Sequence, residues 1–224
     1  MTAIIIIGPP GSGKGTQAKL LADKLNLFNF DTGSYLRSIL YNPRFNNNRE
    51  IQKERKINED GKLNTPSWVL KVISQKIKKL SKLDQSVVFS GSPRTLFEAF
   101  GDKKHRGLME LLDKECGKNN IYIFVLDIAE QESIKRNSKR SLCSLCNATF
   151  LARYQNLKTC PFCGDKIIHR KDDNKNVILI RLKEYKERTR PILKELKKKK
   201  YKICRINGKP APYQIHKKIM RQYA

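Results

Sequence analysis

The chain has 224 residues and a formal net charge of +26. This length is enough for one well-buried core with small appended modules. All of its apolar runs are shorter than the ~20 residues that a membrane-spanning helix needs, so the sequence excludes a transmembrane segment. The first apolar run is short and has no basic leader, so we expect no signal peptide and a cytoplasmic protein that binds no membrane.

The first predicted elements surround a glycine-rich segment. Residues 3–7 predict a buried parallel strand, Gly8–Thr16 follows directly, and a helix is predicted over 14–25. This order is typical of a phosphate-binding loop, whose backbone N–H groups and positive helix end hold phosphate oxygens. We expect Lys14 to reach the β- and γ-phosphates, and Thr16 to supply the hydroxyl because Gly15 follows the lysine. The residues predicted to bind phosphate are Gly11, Ser12, Gly13, Lys14, Gly15 and Thr16.

Strands and helices alternate along the rest of the chain. Further strands are predicted at 27–30, 86–90, 121–127 and 201–206, and further helices at 66–82, 129–139 and 176–199. This alternation predicts an α/β fold, a parallel sheet flanked by helices with ligands at the carboxyl ends of the strands. Two insertions, 32–64 and 141–173, interrupt the pattern. We therefore assign residues 1–31, 65–140 and 174–224 to one core domain.

Four of the six cysteines form two close pairs, Cys143 with Cys146 and Cys160 with Cys163. Pairs of this spacing are typical of a structural Zn²⁺ site with four thiolate ligands. Disulfides are disfavoured in a cytoplasmic protein. A metal also suits the second insertion, because it has too few apolar residues to fold alone. We expect Cys116 and Cys204 to be buried small apolar residues.

The excess of lysine and arginine has two interpretations. A strongly basic chain can bind nucleic acid or the ribosome through its long-range field. The lysines are spread along the chain, however, and aromatic residues do not alternate with them as single-strand binding requires. We therefore favour a bias of composition over a nucleic-acid partner.

The ordered motifs make the chain similar to one family, the adenylate kinases of the long type with a zinc-binding lid. The matching segments are Gly8–Gln17, Asp31–Arg37, Asp60–Leu63, Gly91–Thr95, Arg136 with Arg140, the four cysteines, and Arg170–Asp173 followed by Arg181. The resemblance covers nearly the whole chain. It implies a P-loop NTPase-type core with an insertion that binds the nucleoside monophosphate (NMP) at 32–64 and a zinc-knuckle lid at 141–173.

The resemblance also implies the reaction and its residues. The family transfers the γ-phosphoryl group of Mg·ATP to AMP, giving two ADP, and we expect a monomer with ATP-bound Mg²⁺ and structural Zn²⁺. The implied catalytic residues are Lys14, Arg94, Arg140, Arg170 and Arg181. Arg136, Arg140 and Lys209 join the phosphate loop at the ATP site. The implied NMP-binding residues are Thr32, Gly33, Arg37, Lys62, Asn64, Gly91, Arg94, Glu98, Arg170 and Arg181.

Two departures from the family pattern bear on function. Ser90 stands where the family usually has an aspartate that orients the hydration shell of Mg²⁺, and Asp127 is a candidate to take over part of that role. Glu98 stands where the family usually has a glutamine against the acceptor base. A glutamate offers only acceptors, so it pairs less well with adenine and better with guanine. We favour AMP as acceptor and keep GMP as the alternative.

A third hypothesis comes from a different class of function. A degenerate kinase could survive as a basic RNA- or ribosome-binding module, which Ser90 and the net charge favour. The retained Lys14 and the arginines of the matched motifs favour an active enzyme, because a binding module needs no complete phosphoryl-transfer site.

Overall fold

The structure is a computed structural model that describes residues 1–146, 148–150, 157–169 and 174–223. Its centre is a five-stranded parallel sheet. The strands are β1 (Ala3–Ile7), β2 (Phe28–Asp31), β3 (Val87–Ser90), β4 (Ile121–Asp127) and β8 (Ile203–Asn207), in the order β2-β3-β1-β4-β8. Every residue of β1 is buried, as the uninterrupted apolar run predicts for a central parallel strand. The predicted fold class is confirmed.

Helices cover both faces of the sheet. They are α1 (Lys14–Leu25), α2 (Thr32–Leu40), α3 (Arg49–Glu59), α4 (Pro66–Ser81), α5 (Leu96–Phe100), α6 (Leu108–Cys116), α7 (Glu130–Ser138), α8 (Lys175–Glu184), α9 (Arg190–Lys198) and α10 (Pro212–Tyr223). One apolar core lies on the face with α4 and α6, and a second lies on the face with α1 and α10. Alternate residues of β1 supply both cores, which fixes the sheet between the two helical layers.

The predicted helix over 176–199 has an interruption that the sequence analysis missed. A π-helical turn, Tyr185–Thr189, joins α8 to α9. Pro191 follows the turn and has no N–H for an intrahelical hydrogen bond, which accounts for a change of helix type here. The turn has a use, because the Thr189 hydroxyl donates to the Arg94 carbonyl oxygen at 2.8 Å.

The first insertion contains α2 and α3 and returns to the core through Asn64. The Asp31 side chain accepts from the Ser34 N–H and so caps α2. At the other end, Asn64 Nδ2 donates to the Glu54 carbonyl at 2.7 Å and to its carboxylate at 2.9 Å. Both side chains are buried, so this pair fixes the base of the insertion.

The second insertion contains a small antiparallel sheet. Its strands are β5 (Ser141–Cys143), β6 (Thr149–Phe150) and β7 (Ile167–His169), with β5 in the middle. Within the described part of this insertion, the buried cluster consists of Cys143, Phe150 and Cys160, which is too small to hold a module together alone. Among the residues that the structure describes, no helix is both long and apolar enough to cross a membrane.

Candidate functional site

The loop between β1 and α1 has the geometry of a phosphate cradle. Gly11 and Gly13 have φ values of +73° and +91°, which residues with a side chain rarely adopt. Gly13 caps α1, and nothing lies within 4 Å of where its Cβ would be, so the helix end opens onto free space. The Ser12 hydroxyl is buried and has no hydrogen-bond partner in the part of the chain that the structure describes. This arrangement leaves backbone N–H groups and the positive end of the helix available to an anion.

Lys14 closes over this loop from the first turn of α1. Its Nζ donates to the carbonyl oxygens of Gly8 and Pro9, both at 2.8 Å. Loss of water around the ammonium, together with the charges of Arg94, Arg140 and Arg181, lowers the pKa of Lys14 to about 7. Several cations lie close together here, and their mutual repulsion is one reason why the lysine pKa is lowered. An anionic ligand would neutralise this positive charge, so the site favours binding of an anion.

Arg37 and Arg94 converge beside Gly33. A Cβ on Gly33 would lie 3.3 Å from a guanidinium nitrogen of Arg37 and 3.7 Å from one of Arg94. Arg94 Nε also donates to the Gly91 carbonyl at 2.7 Å, and Gly91 has a φ of +97°. Two guanidinium groups around one glycine form a site that can hold a phosphate from two directions.

Glu98 lies next to the Arg37–Arg94 pair. Its side chain is 2% exposed, and its carboxylate accepts from the Arg94 N–H at 2.8 Å. Burial raises the pKa of Glu98, although the Arg94 N–H and the Arg94 charge oppose this. Burial thus favours the neutral carboxyl group, which offers one donor and one acceptor.

Arg136 joins α7 to two loops at the edge of the site. Its guanidinium donates to the carbonyl oxygens of Gly208 and Lys209, both at 2.9 Å, and its Nε donates to Glu132 at 2.6 Å. The Gly208 N–H in turn donates to the Asp127 carbonyl at 2.8 Å. Arg136 thus links α7 to the backbone of Gly208 and Lys209 next to the phosphate loop.

The predicted nucleotide-site residues that the structure describes all line one cleft of about 1090 Å³. The phosphate loop forms one side, Thr32, Arg37 and Arg94 form another, and Arg140 and Arg181 lie along it. Arg170 lies outside the described residues. The cleft thus brings together residues that are more than 160 positions apart in the chain.

Two predicted acceptor residues use their side chains elsewhere. The Asn64 amide is committed to Glu54, and it also accepts from Asn58 Nδ2 at 3.1 Å. The Lys62 side chain is 60% exposed and lies 3.8 Å from the Asp60 carboxylate. Both residues line the cleft.

The cysteine pairs come together as the spacing predicts. The four sulfur atoms of Cys143, Cys146, Cys160 and Cys163 lie within 4.8 Å of one another. Cys143 Sγ is 3.3 Å from Cys163 Sγ, and Cys146 Sγ is 3.6 Å from Cys160 Sγ. A tetrahedral Zn²⁺ with ~2.3 Å bonds needs sulfur–sulfur distances of about 3.8 Å, so the set fits zinc. Cys116 is buried as expected, whereas Cys204 is only half-buried.

The structure argues against the proposed role of Asp127. Its carboxylate accepts two hydrogen bonds from Arg205, at 2.7 and 3.0 Å, on the neighbouring strand. Its side chain is 41% exposed and faces a hollow beside the main cleft. The pairing follows from the adjacency of β4 and β8, which the sequence does not reveal.

Comparison with known proteins decides the family. A sequence model described as adenylate kinase matches residues 6–201. The chain belongs to the adenylate kinase family. Members of this family are nucleoside monophosphate kinases, and they transfer a phosphoryl group between nucleotides.

Individual relatives agree with this assignment. An adenylate kinase of Methanothrix thermoacetophila is 33% identical over 97% of this chain and 96% of its own length. Adenylate kinases of Chlamydia trachomatis serovar L2 and Mycoplasma mycoides are 31% and 33% identical, over 97% and 85% of this chain and 88% and 84% of their own lengths. The similarity thus extends across both insertions of the adenylate kinase fold.

The supporting contacts around the phosphate loop were not foreseen from the sequence. Ser133 Oγ donates to the Pro10 carbonyl at 2.6 Å, and a Cβ on Gly11 would lie 2.6 Å from Asn137 Nδ2. Asn137 is 2% exposed, which is unusual for a polar residue on an otherwise charged helix. The spacing of Ser133, Arg136 and Asn137 on one face of α7 is the signal that could have found them.

Proposed function

We propose that this protein is an adenylate kinase that transfers the γ-phosphoryl group of Mg·ATP to AMP and releases two ADP. The observation that carries the proposal is the single cleft with a phosphate cradle at one side and the Arg37–Arg94 pair at the other. Lys14 lies within electrostatic reach of Arg94, Arg140 and Arg181, so the cations meet between the two sites. A transferring phosphoryl group needs its charge neutralised at such a place.

In this proposal the donor occupies the α1 side of the cleft. The N–H groups of Gly11–Thr16 and the Lys14 ammonium hold the β- and γ-phosphates. Arg136 and the backbone of Gly208 and Lys209 form the surface on which the adenine lies. Mg²⁺ accompanies ATP, and the Thr16 hydroxyl in the first turn of α1 is one group suited to it.

The acceptor occupies the other side. Arg37 and Arg94 hold its phosphate, and Thr32, Gly33, Gly91 and the backbone of Lys62 and Asn64 surround it. The buried Thr32 hydroxyl has no hydrogen-bond partner among the described residues, which is unusual for a buried polar group. Arg140, Arg181 and, by resemblance, Arg170 close on the phosphoryl group as it moves between the sites.

Glu98 supports AMP as acceptor when it is protonated. A neutral carboxyl group offers one acceptor and one donor, which matches the amino group and the ring nitrogen N1 of adenine. The Arg94 N–H holds the carboxyl in place, and burial favours the neutral form. An ionised Glu98 would instead favour the two donors of guanine, so GMP remains the second candidate acceptor.

The two insertions act as closing parts in this proposal. Residues 32–64 close over the acceptor and 141–173 over ATP, around a core of 1–31, 65–140 and 174–224. Closure excludes the water that would otherwise hydrolyse ATP. Zn²⁺ bound by the four thiolates holds the lid rigid and has no open coordination position for chemistry. One chain supplies every group in the cleft, so we propose that a monomer is active.

The test is phosphoryl transfer from Mg·ATP to AMP, GMP, CMP and UMP in parallel, measured as kcat/KM. We expect AMP to exceed the other acceptors by more than tenfold. A higher kcat/KM for GMP would establish the second candidate. Absence of transfer to all four, together with salt-sensitive binding to RNA, would replace both with the nucleic-acid hypothesis.

A further inference from the structure

Strand β3 ends in Ser90, where the family usually has an aspartate, and the carboxylate at the end of β4 is paired with an arginine. Ser90 ends β3, is 5% exposed, and offers a neutral hydroxyl. Asp127 ends β4, but Arg205 occupies its carboxylate. Mg²⁺ bound to a nucleotide retains several waters, which a protein commonly orients through one or two carboxylates. The remaining strand end beside Ser90 is that of β2.

Asp31 stands there, level with Ser90. In the parallel pair β2–β3 its Cα partner is Ser90, and Ser90 in turn pairs with Ile6 of β1. Residues level with each other in a parallel sheet point to the same face. Ile6 packs in the core on the α1 face, so Asp31 and Ser90 also lie on the side from which the phosphate loop opens. Both line the cleft.

Hydrogen bonds fix the carboxylate of Asp31 next to the phosphate-binding cations. Its two oxygens accept from the N–H and the hydroxyl of Ser34, at 3.2 and 2.9 Å. A Cβ on Gly33 would lie 3.5 Å from Asp31 Oδ1, close to its distances from the Arg37 and Arg94 guanidinium groups. The pKa values of Lys14 and Arg94 are both lowered, chiefly by burial, and the negative charge of Asp31 opposes this lowering at both residues.

We propose that Asp31 is the positioning residue that orients the water shell of nucleotide-bound Mg²⁺, with Ser90 as a neutral neighbour. In this proposal the negative charge at the carboxyl edge of the sheet lies at the end of β2, whereas the family usually has it at the end of β3. Two carboxylates level with each other on neighbouring strands would repel. The neutral serine at position 90 avoids this repulsion of Asp31. This inference rests on the proposed function, because it assigns a residue to the metal of that reaction.

The variants must separate this role from capping of α2. Asparagine and serine cap helices about as well as aspartate, so Asp31→Asn and Asp31→Ser keep the cap and remove the charge. The double variant Asp31→Ser with Ser90→Asp exchanges the two residues and returns a carboxylate to the same row. Asp127→Asn is the matched control, since it removes a carboxylate from a strand end outside the cleft.

The measurement uses Mn²⁺ in place of Mg²⁺ and ADP as the nucleotide. Free Mn²⁺ is followed by electron paramagnetic resonance while it is titrated into the protein with saturating ADP. We expect both single variants to weaken Mn²⁺ binding to the protein–ADP complex by about tenfold, as loss of an outer-sphere partner does. The exchange variant should recover most of this loss, and Asp127→Asn should match the wild type. ADP affinity in EDTA should not fall in Asp31→Asn or Asp31→Ser, because no phosphate ligand is lost and a negative charge beside Lys14 and Arg94 is removed.

Two results would overturn the inference. One is unchanged Mn²⁺ affinity in Asp31→Asn, and the other is an equal loss of ADP affinity with and without metal, which would make Asp31 a structural residue. Wild-type phosphoryl transfer to AMP, assayed on the same preparation, distinguishes failure of this inference from failure of the proposed function. If the wild type is active and either result holds, the inference alone fails, and if the wild type is inactive on every acceptor, the proposed function and the inference fail together.

Discussion

The Arg94 N–H donates to the Glu98 carboxylate at 2.8 Å across the first turn of α5. The same Arg94 places its guanidinium group beside Arg37 at Gly33. One residue therefore holds the proposed phosphate site with its side chain and the proposed base-reading group with its backbone. The groups proposed to bind the phosphate and the base of the acceptor nucleotide are therefore both positioned by the start of α5.

The protonation state of Glu98 should control the acceptor. Burial raises its pKa, and the neutral acid is the form that pairs with adenine. We therefore expect kcat/KM for AMP to fall as the pH rises through the raised pKa of Glu98, while kcat/KM for GMP rises. Glu98→Gln should remove this pH dependence and raise the AMP to GMP ratio about tenfold above neutral pH, because an amide always offers a donor and can still accept from Arg94. The measurement is kcat/KM for both acceptors between pH 5.5 and 9 at saturating Mg·ATP, so that Lys14 is already protonated by the bound donor.

The control for Glu98 is the same change at an exposed site. Glu110 pairs with Arg106 and its side chain is 60% exposed, so Glu110→Gln should leave the AMP profile unchanged. A Glu98→Gln profile that matches the wild type would show that Glu98 does not contact the acceptor base.

Nucleotide binding should protonate Lys14. Its pKa is lowered to about 7 by loss of water and by neighbouring arginines, and bound phosphates would raise it. At pH 8 the free lysine is mostly neutral and must take up a proton on binding, whereas at pH 6 it is already mostly charged. We expect uptake of roughly 0.9 proton at pH 8. Calorimetry of ADP binding in buffers with different ionisation enthalpies measures this number.

An arginine at position 14 provides the comparison. Lys14→Arg keeps a cation that is always charged, so its proton uptake at pH 8 should be near zero. Lys24→Gln, at the exposed end of α1, should behave like the wild type. Equal uptake in the wild type and Lys14→Arg would place the titrating group elsewhere.

Arg136 should matter for ATP and not for AMP. Lysine keeps the charge but cannot donate to both Gly208 and Lys209 in the fixed fork of a guanidinium group. We expect Arg136→Lys to raise KM for ATP about tenfold, which is ~1.4 kcal/mol, and to leave KM for AMP within twofold. Arg106→Lys, on an exposed ion pair, should change neither constant. Steady-state kinetics with each substrate varied in turn distinguishes these outcomes, and an equal rise of both KM values would contradict the assignment.

The parts of the site that depend on short spacing were predictable. The phosphate loop and the cysteine pairs need residues only a few positions apart, so local chemistry defines them. The Arg136 contacts join residues more than 70 positions apart, and the Asp127–Arg205 pair depends on the order of strands in the sheet. Neither follows from periodicity. The level placement of Asp31 and Ser90 likewise required the register of β2 against β3.

Metal binding should decide whether the second insertion stays folded. Its buried core contains two of the four thiols, Cys143 and Cys160, and one phenylalanine, so loss of metal removes most of what joins its strands. We expect about one zinc per chain by elemental analysis of the purified protein, as a four-thiolate structural site holds.

Cys146→Ser removes a ligand at an exposed position and so tests coordination with little effect on packing. This variant should lose most of its zinc, show more exchange of amide hydrogens in β5–β7 than in the core sheet, and have a lower kcat. Cys204→Ser, at a half-buried thiol on β8, should keep full zinc content, and a zinc-free Cys146→Ser with unchanged exchange in β5–β7 would show that the insertion folds without metal.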